Sequence, residues 1–311
     1  MAIDPAFKKL LEMLSAANLE NLDVYGLRRA MNEYKIPEAP EKVYEVRDYA
    51  LEYRGVRIRM RLYVPDKETR SMIVYYHGGG FVFGDIDLYD NLCRKIANRS
   101  HSKVISVEYR LAPESKFPAA VDDAYEAYRW IRENARDLGI DESKIAIGGD
   151  SAGGNLTAAV TLKIKDTGYV QPRLQVLFYP ALGPDFFSES LREYGEGYFL
   201  TRKQMDMFGQ LYFSSPADAL NPYFAPILYN DLSGLPEAII VTAELDPLRD
   251  QGEMYLKRLY DAGVIATGIR AKGMIHGFLS FAVVVPAAEN VLSMVWSLVG
   301  LKIRYDGDII P

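Results

Sequence analysis

Hydrophobic and polar positions along the 311-residue chain change period several times, and each change predicts an element. Near the start, Phe7, Leu10, Leu11 and Leu14 recur on one helical face. They follow Asp4-Pro5, an N-cap with proline at the first helical position, so a helix opens there. A second helix is expected from Asp23 to about Tyr34. Past Pro37 and Pro40 the period drops to two: in Val56–Val64 every even position is apolar, the pattern of a half-buried strand. Gly55 separates this strand from an earlier one near Val43 to Tyr53, which makes the pair a hairpin.

From residue 71 short apolar runs alternate with longer amphipathic ones. The short runs are Met72–Tyr76, Val104–Glu108, Ile145–Gly148, Leu174–Phe178, Ala238–Thr242 and Val264–Arg270, rich in Ile and Val and too short for helices. Helices are expected at about Leu88–Ser100, Pro118–Leu138, Gly154–Asp166 and Gln251–Ala262. The alternation is βαβ, so the class is α/β with a mostly parallel sheet, and the hairpin raises the strand count to eight. Between Gly183 and Phe213 the alternation stops and aromatics crowd in: Phe186, Phe187, Tyr194, Tyr198, Phe199, Phe208, Tyr212 and Phe213. A helical pair with its own small core and a lid over an apolar pocket both fit this stretch. A last helix near Asn290–Leu301 is apolar enough to pack on the sheet or to form a homodimer face.

Composition narrows the chemistry. With 49% hydrophobic and 25% charged residues the chain can bury a large core, and the lack of a Ser/Gly- or Pro-rich linker favours one domain over residues 1–311. A net charge of -6 gives no general attraction to nucleic acid or anionic lipid. The single cysteine, Cys93, excludes an internal disulfide and fits a cytoplasmic setting. The start of the chain has no apolar signal-type run, and the longest apolar stretch, near Phe278–Ala288, is about half the ~20 residues a membrane span needs. Three histidines, His77, His101 and His276, lie far apart, so no metal site is expected.

Ile145–Gly148 leads directly into Gly149-Asp150-Ser151-Ala152-Gly153-Gly154, a G-x-S-x-G between a strand and a helix. In such an elbow the serine sits on a strained turn, and small flanking residues let neighbouring backbone pack close. No Lys-Ser/Thr follows, which weakens a phosphate-cradle reading. A second motif, His77-Gly78-Gly79-Gly80-Phe81, follows the strand Met72–Tyr76 and can converge backbone N–H groups on a developing oxyanion. A serine nucleophile needs a base. His77 belongs to the glycine loop and holds it by hydrogen bonding, and His101 lies in a polar turn. His276 follows the final strand at the sheet edge where α/β sites form, and so is the base. The acid that orients it lies in Glu244-Leu245-Asp246, after the strand Ala238–Thr242. Asp246 is favoured and Glu244 is a close rival, while Asp250 reads as the N-cap of the next helix.

Taken together, His77-Gly-Gly-Gly-Phe81, Tyr109-Arg-Leu-Ala-Pro-Glu114, Gly149-Asp-Ser-Ala-Gly-Gly154, Asp246-Pro-Leu-Arg-Asp250 and His276-Gly-Phe278 resemble the hormone-sensitive lipase family of carboxylesterases, in order and spacing, from about residue 40 to 300. The resemblance implies an α/β-hydrolase fold with a helical cap and action on short- to medium-chain acyl esters without a cofactor. It implies Ser151, Asp246 and His276 as the triad, deciding for Asp246 over Glu244, and the N–H groups of Gly79, Gly80 and Ala152 as the oxyanion hole. Gln251 departs from the acidic residue expected after Asp250. Tyr109 to Glu114 reads as a structural turn. The cap would come from about 1–40 and 183–215, with Phe81, Phe83, Phe186, Phe187, Tyr198, Phe199, Phe208 and Phe213 as candidate pocket walls. An amide or lactone hydrolase shares the same constellation. A silent small-molecule receptor would be expected to have lost a triad member.

Overall fold

The computed structural model describes residues 3–16, 22–33, 36–185 and 187–305. Helix α1 (Pro5–Ala16) opens as expected, with the Asp4 carboxylate accepting the Ala6 N–H at 2.8 Å, and α2 spans Val24–Glu33. Tyr34, the expected end of the second helix, lies outside the described residues. The hairpin is β1 (Glu45–Tyr53) against β2 (Val56–Val64), antiparallel, turned by Arg54 and Gly55 at positive φ. Ile58, Met60 and Leu62 of β2 face the core, while Arg57 and Arg59 face solvent.

The remaining strands are β3 (Met72–Tyr76), β4 (Lys103–Glu108), β5 (Ile145–Asp150), β6 (Leu174–Phe178), β7 (Glu237–Leu245) and β8 (Ala266–Ile275). They form one eight-stranded sheet in the order β1-β2-β4-β3-β5-β6-β7-β8, parallel from β4 onward. Strands β3, β5 and β6 are buried along their whole length, because helices cover both faces. These are α3 (Asp90–Ser100), α4 (Ala119–Glu133), α5 (Ala152–Thr167), α8 (Arg249–Asp261) and α9 (Pro286–Arg304). Helix α4 ends at Glu133, short of the expected Leu138, while β7 runs on to Leu245 and β8 to Ile275, beyond the Ile/Val-rich runs, and each strand ends one residue short of a candidate site residue.

The face of α9 that the sequence left between sheet packing and a dimer contact packs inward. Trp296 is fully buried against Tyr75 and Phe178, and a Cβ on Gly300 would stand 2.0 Å from Ser100 O of α3. In the stretch without strands lie two helices, α6 (Glu189–Tyr194) and α7 (Arg202–Tyr212). Leu27 of α2 packs with Met207 and Phe208 of α7, which brings the two ends of the expected cap together.

Candidate active site

The turn after β5 holds Ser151 at φ +54°, ψ −115°. Such a backbone is costly for a non-glycine residue, and two close approaches hold it. A Cβ on Gly149 would lie 2.3 Å from Tyr76 O, and one on Gly153 only 1.9 Å from the same oxygen, so β3 and the start of α5 approach as only glycine allows.

Strands β7 and β8 bring the other two groups to the same edge. Asp246 is fully buried and His276 is 5% exposed. His276 Nδ1 stands 2.8 Å from Asp246 Oδ2, and Nε2 stands 2.9 Å from Ser151 Oγ. A carboxylate can only accept, so Nδ1 carries the ring proton and Nε2 is free to accept the serine O–H. The other oxygen, Asp246 Oδ1, accepts the Leu248 N–H at 2.8 Å, which fixes the carboxylate plane.

Glu244, the rival acid, has a different partner. The β7–β8 pairing is irregular between Ala243 and Leu245, and the Glu244 carboxylate accepts the Gly273 N–H at 2.8 Å. It satisfies a donor that the irregular ladder leaves unpaired. Asp250 is not the N-cap of α8. It is the second residue of the helix and accepts the Ser190 N–H of α6 at 2.8 Å, joining α8 to the strand-free stretch. Gln251 takes the Leu182 N–H on its Oε1 at 2.9 Å, a role its amide fills without a charge.

The glycine loop lies beside Ser151. Gly79 and Gly80 adopt φ +115° and +59°, and neither their N–H groups nor that of Ala152, at the first turn of α5, meet an acceptor among the described residues. His77 is buried, its Nδ1 2.7 Å from Gly78 O, and stacks on Tyr109 at 4.3 Å. Burial pulls its imidazole down to about 4, so it is neutral near pH 7. His101 caps the C-terminal end of α3 and is exposed, and it does not line the cavity into which Ser151 opens.

The turn from Tyr109 to Glu114 braces this loop. Tyr109 OH donates to His77 O at 2.7 Å, and the Ala112 N–H donates to Phe81 O at 2.8 Å. From α2, Arg28 donates to Val82 O at 2.7 Å and Ala112 O at 2.8 Å, and forms a two-bond pair with Glu114. No sequence pattern linked Arg28 to Val82 or Ala112, because the partners are carbonyls that every residue type presents.

Ser151 and His276 open into a cavity of about 860 Å³. Of the candidate wall residues, Phe81, Phe83, Phe199, Phe208 and Phe213 line it. Phe187 and Tyr198 do not: Phe187 is 92% exposed, and Tyr198 packs edge-on against Tyr194. Phe186 lies outside the described residues. Leu27 and Met31, one turn apart on α2, also line the cavity, as do Phe224 and Phe281. The i, i+4 spacing of Leu27 and Met31 carried that signal. Among the described residues no group of three or more His, Cys, Asp or Glu could hold a metal ion, and no helix is long and apolar enough to cross a membrane.

A mostly parallel eight-stranded sheet with a serine elbow after one strand and a His–Asp pair at the ends of two others is the architecture of an α/β hydrolase, and the family model described as "alpha/beta hydrolase fold" matches residues 73–280. The chain is 40% identical over 285 residues to an arylesterase of Saccharolobus solfataricus, covering 90% of this chain and 93% of that protein. It is 39% identical over 297 residues to carboxylesterase NlhH of Mycobacterium tuberculosis, covering 93% and 92%. Among solved structures, a hyperthermophilic esterase from the archaeon Pyrobaculum calidifontis superposes with a TM-score of 0.90 at 42% identity, over 97% of this chain and 99% of that one. The chain belongs to the hormone-sensitive lipase family within this fold, and it is a carboxylic ester hydrolase.

Proposed function

We propose that the chain hydrolyses short- to medium-chain acyl esters through Ser151, His276 and Asp246. Ser151 Oγ attacks the ester carbonyl as His276 Nε2 takes its proton, and the oxyanion falls to the N–H groups of Gly79, Gly80 and Ala152. The carbon–alkoxide bond then breaks, His276 protonates the leaving alcohol, and an acyl-enzyme remains. Water, activated by the same imidazole, releases the acid. The observation that carries this reading is the unbroken chain from Ser151 Oγ through His276 to Asp246, at 2.9 and 2.8 Å. Donors of the oxyanion kind contribute on the order of 3–4 kcal/mol each to the transition state, and the loop leaves such N–H groups unpaired beside the serine.

Residues of about 1–40 and 183–215 form a cap on the single domain, in this reading. Leu27 and Met31 from one segment and Phe208 and Phe213 from the other give the cavity an apolar wall suited to an acyl chain. The cavity volume lies within the range of small-molecule sites.

The test is turnover of p-nitrophenyl butyrate together with labelling by a serine-directed phosphonate. Ser151→Ala is expected to abolish both turnover and label. Residual turnover at the wild-type rate, or a label on another residue, overturns the mechanism. Matched ester and amide substrates are expected to show faster cleavage of the ester.

A further inference from the structure

The chain leaving β6 runs past both reacting groups. Phe178 O accepts the Ser151 N–H at 2.9 Å, and the Ala181 N–H donates to Ser151 O at 3.4 Å, so residues 178–181 hold the serine's backbone at both its N–H and its carbonyl. Tyr179 lies between these contacts. Its own N–H donates to Val241 O at 2.6 Å, and its φ of +34° is one that bulky residues rarely adopt. Its ring meets the His276 imidazole at 4.9 Å between centroids with the planes at 62°, and meets Phe278 at 5.2 Å. The residue is 1% exposed, and its hydroxyl, near the Leu279 N–H, makes no well-formed hydrogen bond among the described residues. A buried hydroxyl this poorly paired adds little to a fold, so the polar end does not account for the residue; the aromatic ring does.

We infer that Tyr179 is a positioning residue, whose ring fixes the tilt of the His276 imidazole in the catalytic arrangement proposed above. The inference rests on that arrangement. Hydrogen bonds at Nδ1 and Nε2 fix the line through the two nitrogens but leave the ring free to rock about it. An aromatic neighbour packed at a steep angle removes that freedom, and it keeps Nε2 aimed first at Ser151 Oγ and then at the leaving oxygen.

The experiment compares wild type, Tyr179→Phe and Tyr179→Leu for kcat and KM on p-nitrophenyl butyrate. Each is checked for folding by circular dichroism and labelled with the phosphonate. Phe is expected to stay within about twofold of wild type, because the hydroxyl makes no well-formed hydrogen bond, while Leu lowers kcat about tenfold or more with KM changed by less than about twofold. The downfield Nδ1 proton resonance of His276 is expected to persist in the Phe variant and to broaden in Leu. If Leu does not fold, Tyr179→Met, which fills similar space without an aromatic face, replaces it. A folded Leu or Met variant with wild-type kcat overturns the inference, as does an equal loss in Phe. Wild type that takes no label at Ser151 would instead overturn the triad, which keeps the two failures apart.

Discussion

The Gly78 N–H donates to Asp150 Oδ1 at 2.9 Å, so the glycine loop and the turn bearing Ser151 share one carboxylate. Tyr75 OH at 2.8 Å and Tyr89 OH at 3.2 Å donate to the same group. Asp150 precedes Ser151 in the chain, and its hydrogen bonds set the distance between Ser151 and the loop beside it.

Burial pushes the Asp150 carboxyl up to about 6, against these donors. A carboxyl raised on folding stabilises the fold below its unfolded value and loses that contribution as pH rises through the folded value. From about pH 4 to above pH 6 this group is expected to cost wild type up to on the order of 3 kcal/mol. Asp150→Asn lacks the ionisation, so its stability relative to wild type should rise over that window while kcat falls. Urea unfolding at both ends of the window checks this; a difference independent of pH rules it out.

Arg28 ties α2 to the loop by its bonds to Val82 O, Ala112 O and Glu114. Arg28→Met leaves two carbonyls short of a donor, at a cost of about 1–3 kcal/mol and a fall in Tm of roughly 2–4 °C per kcal/mol. Because Leu27 and Met31 on the same helix line the cavity, KM should rise as well. Glu114→Gln keeps both carbonyl bonds and should cost less. Differential scanning calorimetry and steady-state kinetics on both variants give the comparison, and equal losses would contradict it.

At Gly153 an added methyl meets backbone, whereas at Gly168 nothing lies within 4 Å. Gly153→Ala must move β3 away from α5 and with them Ser151 from Gly79, so soluble yield and phosphonate labelling should both collapse. Gly168→Ala, at φ +65°, should cost only about 1–2 kcal/mol and leave labelling intact. A labelled, stable Gly153→Ala protein would show that the elbow tolerates more space than its geometry implies.

Phe208 of α7 covers Gly80: a Cβ there would meet the ring at 2.5 Å. Truncating it to alanine enlarges the cavity beside the expected carbonyl position. In a p-nitrophenyl series, Phe208→Ala should shift kcat/KM toward bulkier acyl groups by about tenfold or more relative to butyrate. An unchanged length profile would place the acyl chain elsewhere in the cavity.

Several of these relationships were legible in the residues. The G-x-S-x-G turn, the glycine loop and the His–Asp pair are local patterns, because each must follow a strand directly and a strand announces itself by period and composition. The choice between Asp246 and Glu244 was not local. Glu244 lies within β7 and Asp246 directly after it; the family resemblance favoured Asp246, and the register of β8 sets it against His276 and Glu244 against Gly273. The aromatic stretch was also ambiguous, since Tyr198 and Phe199 are adjacent in the chain, yet one packs on Tyr194 and the other reaches the cavity.

By itself, the sequence determined the α/β alternation, the eight strands and the position of Ser151 and His276 just after strands, because hydrophobic period and glycine placement act over a few residues. Tertiary structure showed why Asp246 rather than Glu244 meets His276, and decided which aromatics line the cavity, how Arg28 and Asp150 brace the site, and that the Tyr179 ring lies against His276. Those outcomes depend on backbone carbonyls and ring faces brought together from distant segments, and neither has a residue-type signature to read along the chain.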